Sequence, residues 1–465
     1  MNIFYKSKNL IYLLYVPIFI NFLINKFNFA NLTSIDLINF FDIGSSLLLF
    51  IFLYLIGNLI KDILDLPMVS SGIVIYLLSF FLIDNLILFF RTNVYFHSIF
   101  LLVNAIWLFV FLIFFKYYKK VFFGIFSYQV LQYFNQYYFE KLSVNKNIIG
   151  DVKDIHFPHV KNIYEISYFY SMNNATLEGY PQLVAYVQSV LSTISLKSHL
   201  FVHLSSSINV LLFLFLLFFY ELNLSKKSKL ILIFLFLSLI LNSQWLSFLF
   251  IDSLMTEGVL SYLFCVLLIS SIYVKQKTSW VLFIFLGLMF LSKQFISILS
   301  LVVVLIFMIR KNFRKQALCG LFGLVLKELS FISFLNNIQK NYHLKDVDIL
   351  DTVFDLILFR NLELTNIKLI LQNLINDKPV SLIFLFFVIG CAFYLILFTK
   401  RNWELNLIVF VIILNFALIF ALYITLWRTM ELESPIRYML NLLPLILYFQ
   451  FKLIDKNLEI KDSNI

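Results

Sequence analysis

Residues 405–427 read LNLIVFVIILNFALIFALYITLW, with no charge anywhere in the run. At about 1.5 Å of rise per residue such a helix is about 34 Å long, and the hydrocarbon core of a bilayer is about 30 Å thick. Within lipid, backbone of this length satisfies its own hydrogen bonds as a helix. Comparable apolar runs fill the chain at 9–25, 44–60, 70–90, 96–115, 121–138, 200–220, 230–248, 254–274, 279–292, 295–309, 316–334, 380–398 and 438–451. The reading is an all-α, polytopic membrane protein with about 14 transmembrane helices. The first run follows Lys6 and Lys8, and no small-x-small cleavage site succeeds it. It reads as a retained span rather than a signal peptide.

Composition points the same way. Of 465 residues, 61% are hydrophobic and 13% charged, and the mean hydropathy is +0.91. A soluble domain with so few polar residues could not cover its surface. With 11 Gly and 7 Pro, collagen-like and disordered classes are excluded. Cys265, Cys319 and Cys391 each sit in an apolar run and read as small core residues, not as a disulfide or metal set. The net charge of +10 does not suggest nucleic acid. Its cations stand in short clusters between apolar runs, as cytoplasmic loops do, where they should meet anionic lipid head groups.

Those clusters also set the orientation. Four alternate loops in the second half carry Lys226, Lys227 and Lys229; Lys275 and Lys277; Arg310, Lys311, Arg314 and Lys315; Lys400 and Arg401. The intervening short loops carry only Lys293, Arg428 and Arg437. The rich side is cytoplasmic by the positive-inside rule, which also puts both termini there. Lys116, Lys119 and Lys120 fit that side if 121–138 is a full span, although Gln129, Gln132, Asn135 and Gln136 leave that run only moderately apolar. Two long polar loops, 139–199 and 335–379, then lie outside. Residues 182–196, with Leu183, Val184, Val187, Val190, Leu191 and Ile194 among polar groups, read as an amphipathic helix on the membrane surface. The chain thus divides into added N-terminal spans (1–120), a membrane core with its outer loop (121–334), a second outer loop (335–379) and C-terminal spans with a tail (380–465).

Charges at membrane level are costly and mark function. Asp151 and Asp154 open the first outer loop in GDVKDIHFPH, which also holds His156 and His159. Asp252 ends one span and Glu257 begins the next; Lys293 sits between two short spans; Arg437 and Tyr438 start the last. On this topology all reach one outer interface. Carboxylates and cations on one face suit chemistry on a lipid-linked phosphate: cations hold the leaving group, and a carboxylate takes a proton from the attacking hydroxyl. His156 and His159 have zinc-like spacing, but Pro158 between them is expected to break a regular helix, and no third ligand is near. Lys327 and Glu328 inside the 316–334 run read as a local ion pair.

These residues resemble the GT-C superfamily of membrane glycosyltransferases, in particular the broad bacterial group related to protein O-mannosyltransferases and the lipid A aminoarabinose transferases. That group often carries an Asp followed seven residues later by Pro, as Asp151 and Pro158 are here, and then a Tyr-Pro-Pro-Leu opening an amphipathic helix, compared with Tyr180-Pro181-Gln182-Leu183. Its Tyr-Ala-Asp at the outer end of a span compares with Phe250-Ile251-Asp252, its Lys between spans with Ser292-Lys293, and its Arg-Tyr with Pro seven residues after the Arg with Arg437-Tyr438 and Pro444. The departures are His156 or Phe157 for a Trp, His159 for a Lys, Gln182 for the second Pro, and Gln294-Phe295 for Asn-Glu. The likeness covers about 150–450 and leaves the first four spans unexplained.

The resemblance implies an inverting transfer of a sugar from a polyprenyl-phosphate donor to a lipid, glycan or protein acceptor, at the outer face of a bacterial cytoplasmic membrane. Asp151 would be the general base, with Asp154 its substitute. Lys293 and Arg437 would bind the donor phosphate, and Asp252 would orient the acceptor or a cation. His156, His159, Tyr180, Glu257 and Tyr438 would line the substrate site. No cofactor is fixed; some relatives with pyrophosphate donors use a divalent cation, for which Asp252 and Glu257 would make a loose site. Two other classes remain in view. A lipid-linked sugar flippase or other transporter would need polar groups at mid-span, and no internal repeat supports one. An O-antigen-type polymerase or ligase would rely more on Arg360 and His343 in the second loop.

Overall fold

The computed structural model describes residues 34–89, 94–114, 157–167, 183–194, 200–242, 256–292, 294–310, 312–326, 368, 372, 378–397, 402–425 and 440–462. These are helical or short turns, with no strand among the described residues, so the chain is all-α. Among the described residues one helical segment, Val69–Leu88, is long and apolar enough to cross a membrane. Apolar helices of 10–17 residues include Phe96–Phe111, Glu257–Tyr273, Ile296–Ile309 and Trp403–Ile419. The runs at 9–25 and 121–138 and the expected boundaries at 120 and 334 lie outside the described residues.

The chain forms two compact units. The first comprises Met1–Ser171 and Ala185–Leu214; the second, Met172–Val184 and Phe215–Ile465. In the first, α1 (Ser34–Leu64) and α2 (Val69–Phe89) make a hairpin. The turn is a Schellman motif. Asp65 takes the left-handed conformation (φ 48°), and the Leu66 N–H donates to the Lys61 carbonyl at 3.0 Å. Buried Leu66 and then Pro67 stop the helix. Higher up, Gly57 and Gly72 bring the two backbones together: a Cβ on Gly72 would run into the Gly57 carbonyl. Between apolar helices such small residues permit close van der Waals contact.

Helix α3 (Phe96–Phe114) packs along α2. Phe80 stacks on Phe100 at 5.3 Å, the Tyr76 hydroxyl donates to Asn104 Oδ1 at 2.8 Å, and the Trp107 indole donates to Ser79 Oγ at 3.0 Å. These pairs satisfy polar atoms that would otherwise be orphaned among apolar side chains. Short α4 (Phe157–Glu165) joins where α3 begins: the Phe96 N–H donates to the Ile166 carbonyl at 2.9 Å, and His97 and Tyr164 stack edge to face. Pro158 does not break this helix. It stands in the first turn, where its missing N–H costs no internal bond, so that expectation is corrected.

Helix α5 (Leu183–Ile194) occupies the stretch expected to be amphipathic. It does not lie on a surface with a wet face. All its side chains that the structure describes are buried, including polar Gln188, Ser189 and Thr193. Two of these polar groups turn onto backbone: Ser189 Oγ donates to the Ala185 carbonyl at 2.8 Å and lies 3.2 Å from that of Val160 on α4, and Thr193 Oγ1 donates to the Ser189 carbonyl. Hydroxyls bonded to the preceding turn are compatible with burial, and the hydrophobic pattern alone could not show this.

The second unit begins in α6 (Leu200–Glu221), within which the two units divide. It continues with α7 (Lys226–Asn242), α8 (Thr256–Tyr273), α9 (Ser279–Leu288), α10 (Gln294–Ile309), α11 (Arg314–Leu318), α12 (Lys378–Leu397), α13 (Trp403–Thr425) and α14 (Leu443–Asp462). Helix α8 is buried on all sides from Leu260 to Ser271, as expected for a helix apolar all round. Phe215 packs on both Phe236 of α7 and Tyr262 of α8.

Helix α9 tightens into a 3-10 turn at Met289–Leu291, and α11 into another at Cys319–Leu321 before helical backbone resumes to 326. The second turn interrupts the run read as one span at 316–334. Close glycine contact occurs here too: Cβ atoms on Gly287 or Gly323 would strike the carbonyls of Gly320 and Gly287 respectively.

Candidate functional site

Side-chain contacts sort the helix ends of the second unit into two groups. Tyr273 at the end of α8 meets Glu404 at the start of α13 and Tyr448 of α14. Arg310, just past α10, lies over Trp403. Asp455 near the end of α14 accepts from Ser225 and Ser228 where α7 begins. The loops carrying Lys226 and Lys227, Lys275 and Lys277, and Arg310 and Arg314 therefore share one end. The start of α8, the turn closing α9 and the start of α10 stand at the other; the 3-10 turn Leu440–Leu442, about two helical turns before Tyr448, packs on α8.

Those elements adjoin three of the residues singled out in the sequence. Asp252 precedes α8, Lys293 separates the Met289–Leu291 turn from α10, and Arg437 precedes Leu440. Asp252, Lys293, Arg437 and Tyr438 themselves lie outside the described residues, as do Asp151, Asp154, His156 and Tyr180 in the first outer loop. Lys327, Glu328, His343 and Arg360 do so as well.

Two candidates are described. Glu257 is buried in the first turn of α8, where the free N–H groups and the dipole of the helix favour a carboxylate. Between α9 and α10, Ser292 closes the α9 turn by donating to the Met289 carbonyl at 2.5 Å, and Ser297 donates to the Phe290 carbonyl at 2.9 Å. These two bonds fix the backbone on either side of position 293. His159 belongs to the first unit. It lies on α4, 4% exposed, and burial holds its imidazole below the ordinary value of 6.5. At neutral pH it is a neutral hydrogen-bonding group, so it cannot act there as a cation for phosphate.

The structure adds a residue that the sequence reading passed over. Asp84 sits inside α2, 4% exposed. The Tyr186 hydroxyl of α5 stands beside its carboxyl, while its Oδ2 has no hydrogen-bond partner among the described residues. Tyr186 is held between the rings of Phe81 and Phe96, each at 5.4 Å. The available signal was a lone acid in the apolar run 70–90, which is costly and rarely incidental. In the second unit, Asn415 in the middle of α13 is fully buried with neither amide atom paired among the described residues.

Among the described residues no group of three His, Cys, Asp or Glu could hold a metal ion, and all three cysteines are free thiols. The chain matches no family model, no curated protein and no solved structure.

Proposed function

We propose that this protein is a multi-pass membrane glycosyltransferase that moves a sugar, with inversion, from a polyprenyl-phosphate donor to an acceptor at the outer face of a cytoplasmic membrane. The observation that carries the reading is the sorting of helix ends. The ends adjoining Asp252 and Lys293 are opposite the lysine- and arginine-rich loops, so a positive-inside orientation would present those two positions outside, and Arg437 precedes a turn that packs on α8. The order and spacing of the motifs from Asp151 to Pro444 support it further.

In this reading Asp151 takes the proton of the acceptor hydroxyl as that oxygen attacks the anomeric carbon, with Asp154 the substitute. The bond to the donor phosphate breaks through a transition state of oxocarbenium character. Lys293 and Arg437 take up the charge on the departing phosphate, Arg437 through a bidentate grip. Asp252, Glu257, Tyr180, Tyr438, His156 and neutral His159 orient the sugar and acceptor.

The test is Asp151→Asn in membranes supplied with polyprenyl-linked sugar. Transfer should fall about 100-fold or more, the contribution of a positioned general base, with insertion unchanged. Unaltered turnover in both Asp151→Asn and Asp154→Asn would end the assignment.

Asn415 and Asp84 favour a second reading. They are buried polar groups within apolar helices, as a flippase or other transporter requires. Flux of a lipid-linked sugar across proteoliposomes with no transfer product would select it.

A further inference from the structure

At the end of the second unit that bears the basic loops, the charge of Glu221 acts on Lys229, whereas Glu404 and Asp455 form no ion pair among the described residues. The Glu404 carboxylate accepts from the hydroxyls of Tyr273 and Tyr448. Asp455 accepts from the Ser225 N–H at 2.7 Å, from Ser225 Oγ at 2.9 Å and from Ser228 Oγ at 2.5 Å. Both acids are thus occupied by neutral donors. Arg310, Arg314 and Lys315 enter no ion pair among the described residues, where the pair formed is Lys61 with Asp62.

Arg310 is held in a built setting. Its guanidinium carbon lies 4.7 Å from the centroid of the Trp403 ring and 5.6 Å from that of Phe313. Phe307 locks this platform, edge-on to Phe313 at 5.6 Å and to Trp403 at 6.0 Å. The turn below is tied by Phe313 N–H to the Arg310 carbonyl at 3.0 Å and Ala317 N–H to the Phe313 carbonyl at 2.8 Å. Stacking uses the face of a guanidinium and leaves its in-plane N–H edge for a doubly bonded anion. The Trp403 Nε1–H is a further donor with no partner among the described residues. Arg314 and Lys315 are exposed beside it.

The same corner is apolar on its outward side. Leu305 and Ile309 on α10 are 44% and 83% exposed, and Leu318, Phe322 and Val325 on or just after α11 are exposed too. Helix α10 packs on α11, so this exposed apolar surface belongs to two neighbouring helices whose joining turn carries the cations. A free phosphate would use only the cations. A phosphate carrying two acyl chains uses both the cations and the apolar surface below them.

We propose that Arg310, stacked on Trp403 and assisted by Arg314 and Lys315, is a binding site for the phosphodiester head group of an anionic phospholipid, whose acyl chains lie along Leu305, Ile309, Leu318 and Phe322. The site requires that these helices sit in a bilayer and is independent of the sugar transfer proposed above.

Full-length protein in detergent is titrated with phosphatidylglycerol, with phosphatidylcholine and with inorganic phosphate, and retained lipid is counted by native mass spectrometry alongside the midpoint of thermal unfolding. Phosphatidylglycerol should be retained and should raise the midpoint; the other two should not. Arg310→Gln should weaken retention by about tenfold, as expected for loss of a charge-assisted bidentate contact, while Lys226→Gln on α7 leaves it unchanged. Should Arg310→Gln fail to fold, Arg310→Lys keeps the charge without the planar edge and should show the same weakening. Equal retention of both lipids, an effect reproduced by inorganic phosphate, or undiminished retention in the Arg310 variants would overturn the proposal. Activity in the glycosyl-transfer assay does not bear on any of these outcomes.

Discussion

Tyr448 on α14 and Tyr273 on α8 share one acceptor: their hydroxyl oxygens lie 2.6 Å apart, and both donate to Oε1 of Glu404 at the start of α13. Three helices that are far apart in sequence are joined at one oxygen. A carboxylate with two neutral donors is stronger as a clamp than a neutral trio, because hydrogen bonds to charge contribute about 1.5–3 kcal/mol. Glu404→Leu should therefore lower the stability of the protein by about 3 kcal/mol, since it also leaves two phenols without their acceptor. Tyr448→Phe should cost about half of that. Unfolding titrations in mixed micelles measure both, and equal small effects would show that packing alone joins these helices.

The glycine contacts predict a sharp contrast within one residue type. A methyl on Gly72 or on Gly323 would meet a backbone carbonyl that cannot move aside. Gly72→Ala and Gly323→Ala should each destabilise by about 2 kcal/mol or more through forced separation of paired helices. At Gly390 the added methyl would stand 3.4 Å from Phe449 Cε1 and 3.8 Å from Leu453 Cδ1, ordinary contact distances. There the higher helix propensity of alanine should be neutral or stabilise by up to about 1 kcal/mol. Thermal midpoints of the three variants check this, and a loss at Gly390 as large as at Gly72 would contradict it.

Acidification should loosen α4. His159 is buried, and burial holds its pKa below the ordinary 6.5. The unfolded chain therefore takes up a proton that the folded chain refuses as pH falls below about 6.5. The penalty starts there and grows until the folded pKa is reached; above 6.5 it is absent. Between pH 7.5 and 5.5 the amides of residues 157–165 should exchange faster, relative to those of α2, in hydrogen-exchange mass spectrometry. In His159→Phe the difference should disappear.

The element pattern was legible because the apolar runs are long and are separated by short polar or charged stretches. The expected 70–90, 96–115 and 295–309 appear as Val69–Phe89, Phe96–Phe114 and Gln294–Ile309. The cations at 226, 275, 277 and 310 gather at one end, as alternate loops must. What pattern could not convey was tertiary in origin. The burial of Gln188 and Ser189 depends on a partner helix and on bonds to Val160 and Ala185. The 3-10 turn after α11 packs on Gly287, which is more than thirty positions away. Asp84 was passed over because one acid hardly changes the hydropathy of a long apolar run, whereas its cost is set by the local surroundings. Of the site proposed from sequence, Glu257 and His159 are described, and both are buried. Hydropathy places such residues near a helix start without revealing how far they are covered.

Asp84 tests whether a buried acid serves the fold or something beyond it. Removing one partner of a buried polar pair leaves the other unsatisfied, whereas replacing both with apolar groups is often neutral. Asp84→Leu alone should cost about 1–3 kcal/mol, because the Tyr186 hydroxyl would then face an apolar side chain in place of the carboxyl beside it. Combined with Tyr186→Phe, it should recover to within about 1 kcal/mol of the natural protein, a coupling well above the error of a double-mutant cycle. A stable double variant that has lost glycosyl transfer or lipid-linked sugar flux would show that the carboxyl is kept for activity at the expense of stability. If the double variant is instead less stable than Asp84→Leu, the carboxyl holds α2 in place through contacts other than Tyr186, and its role is structural.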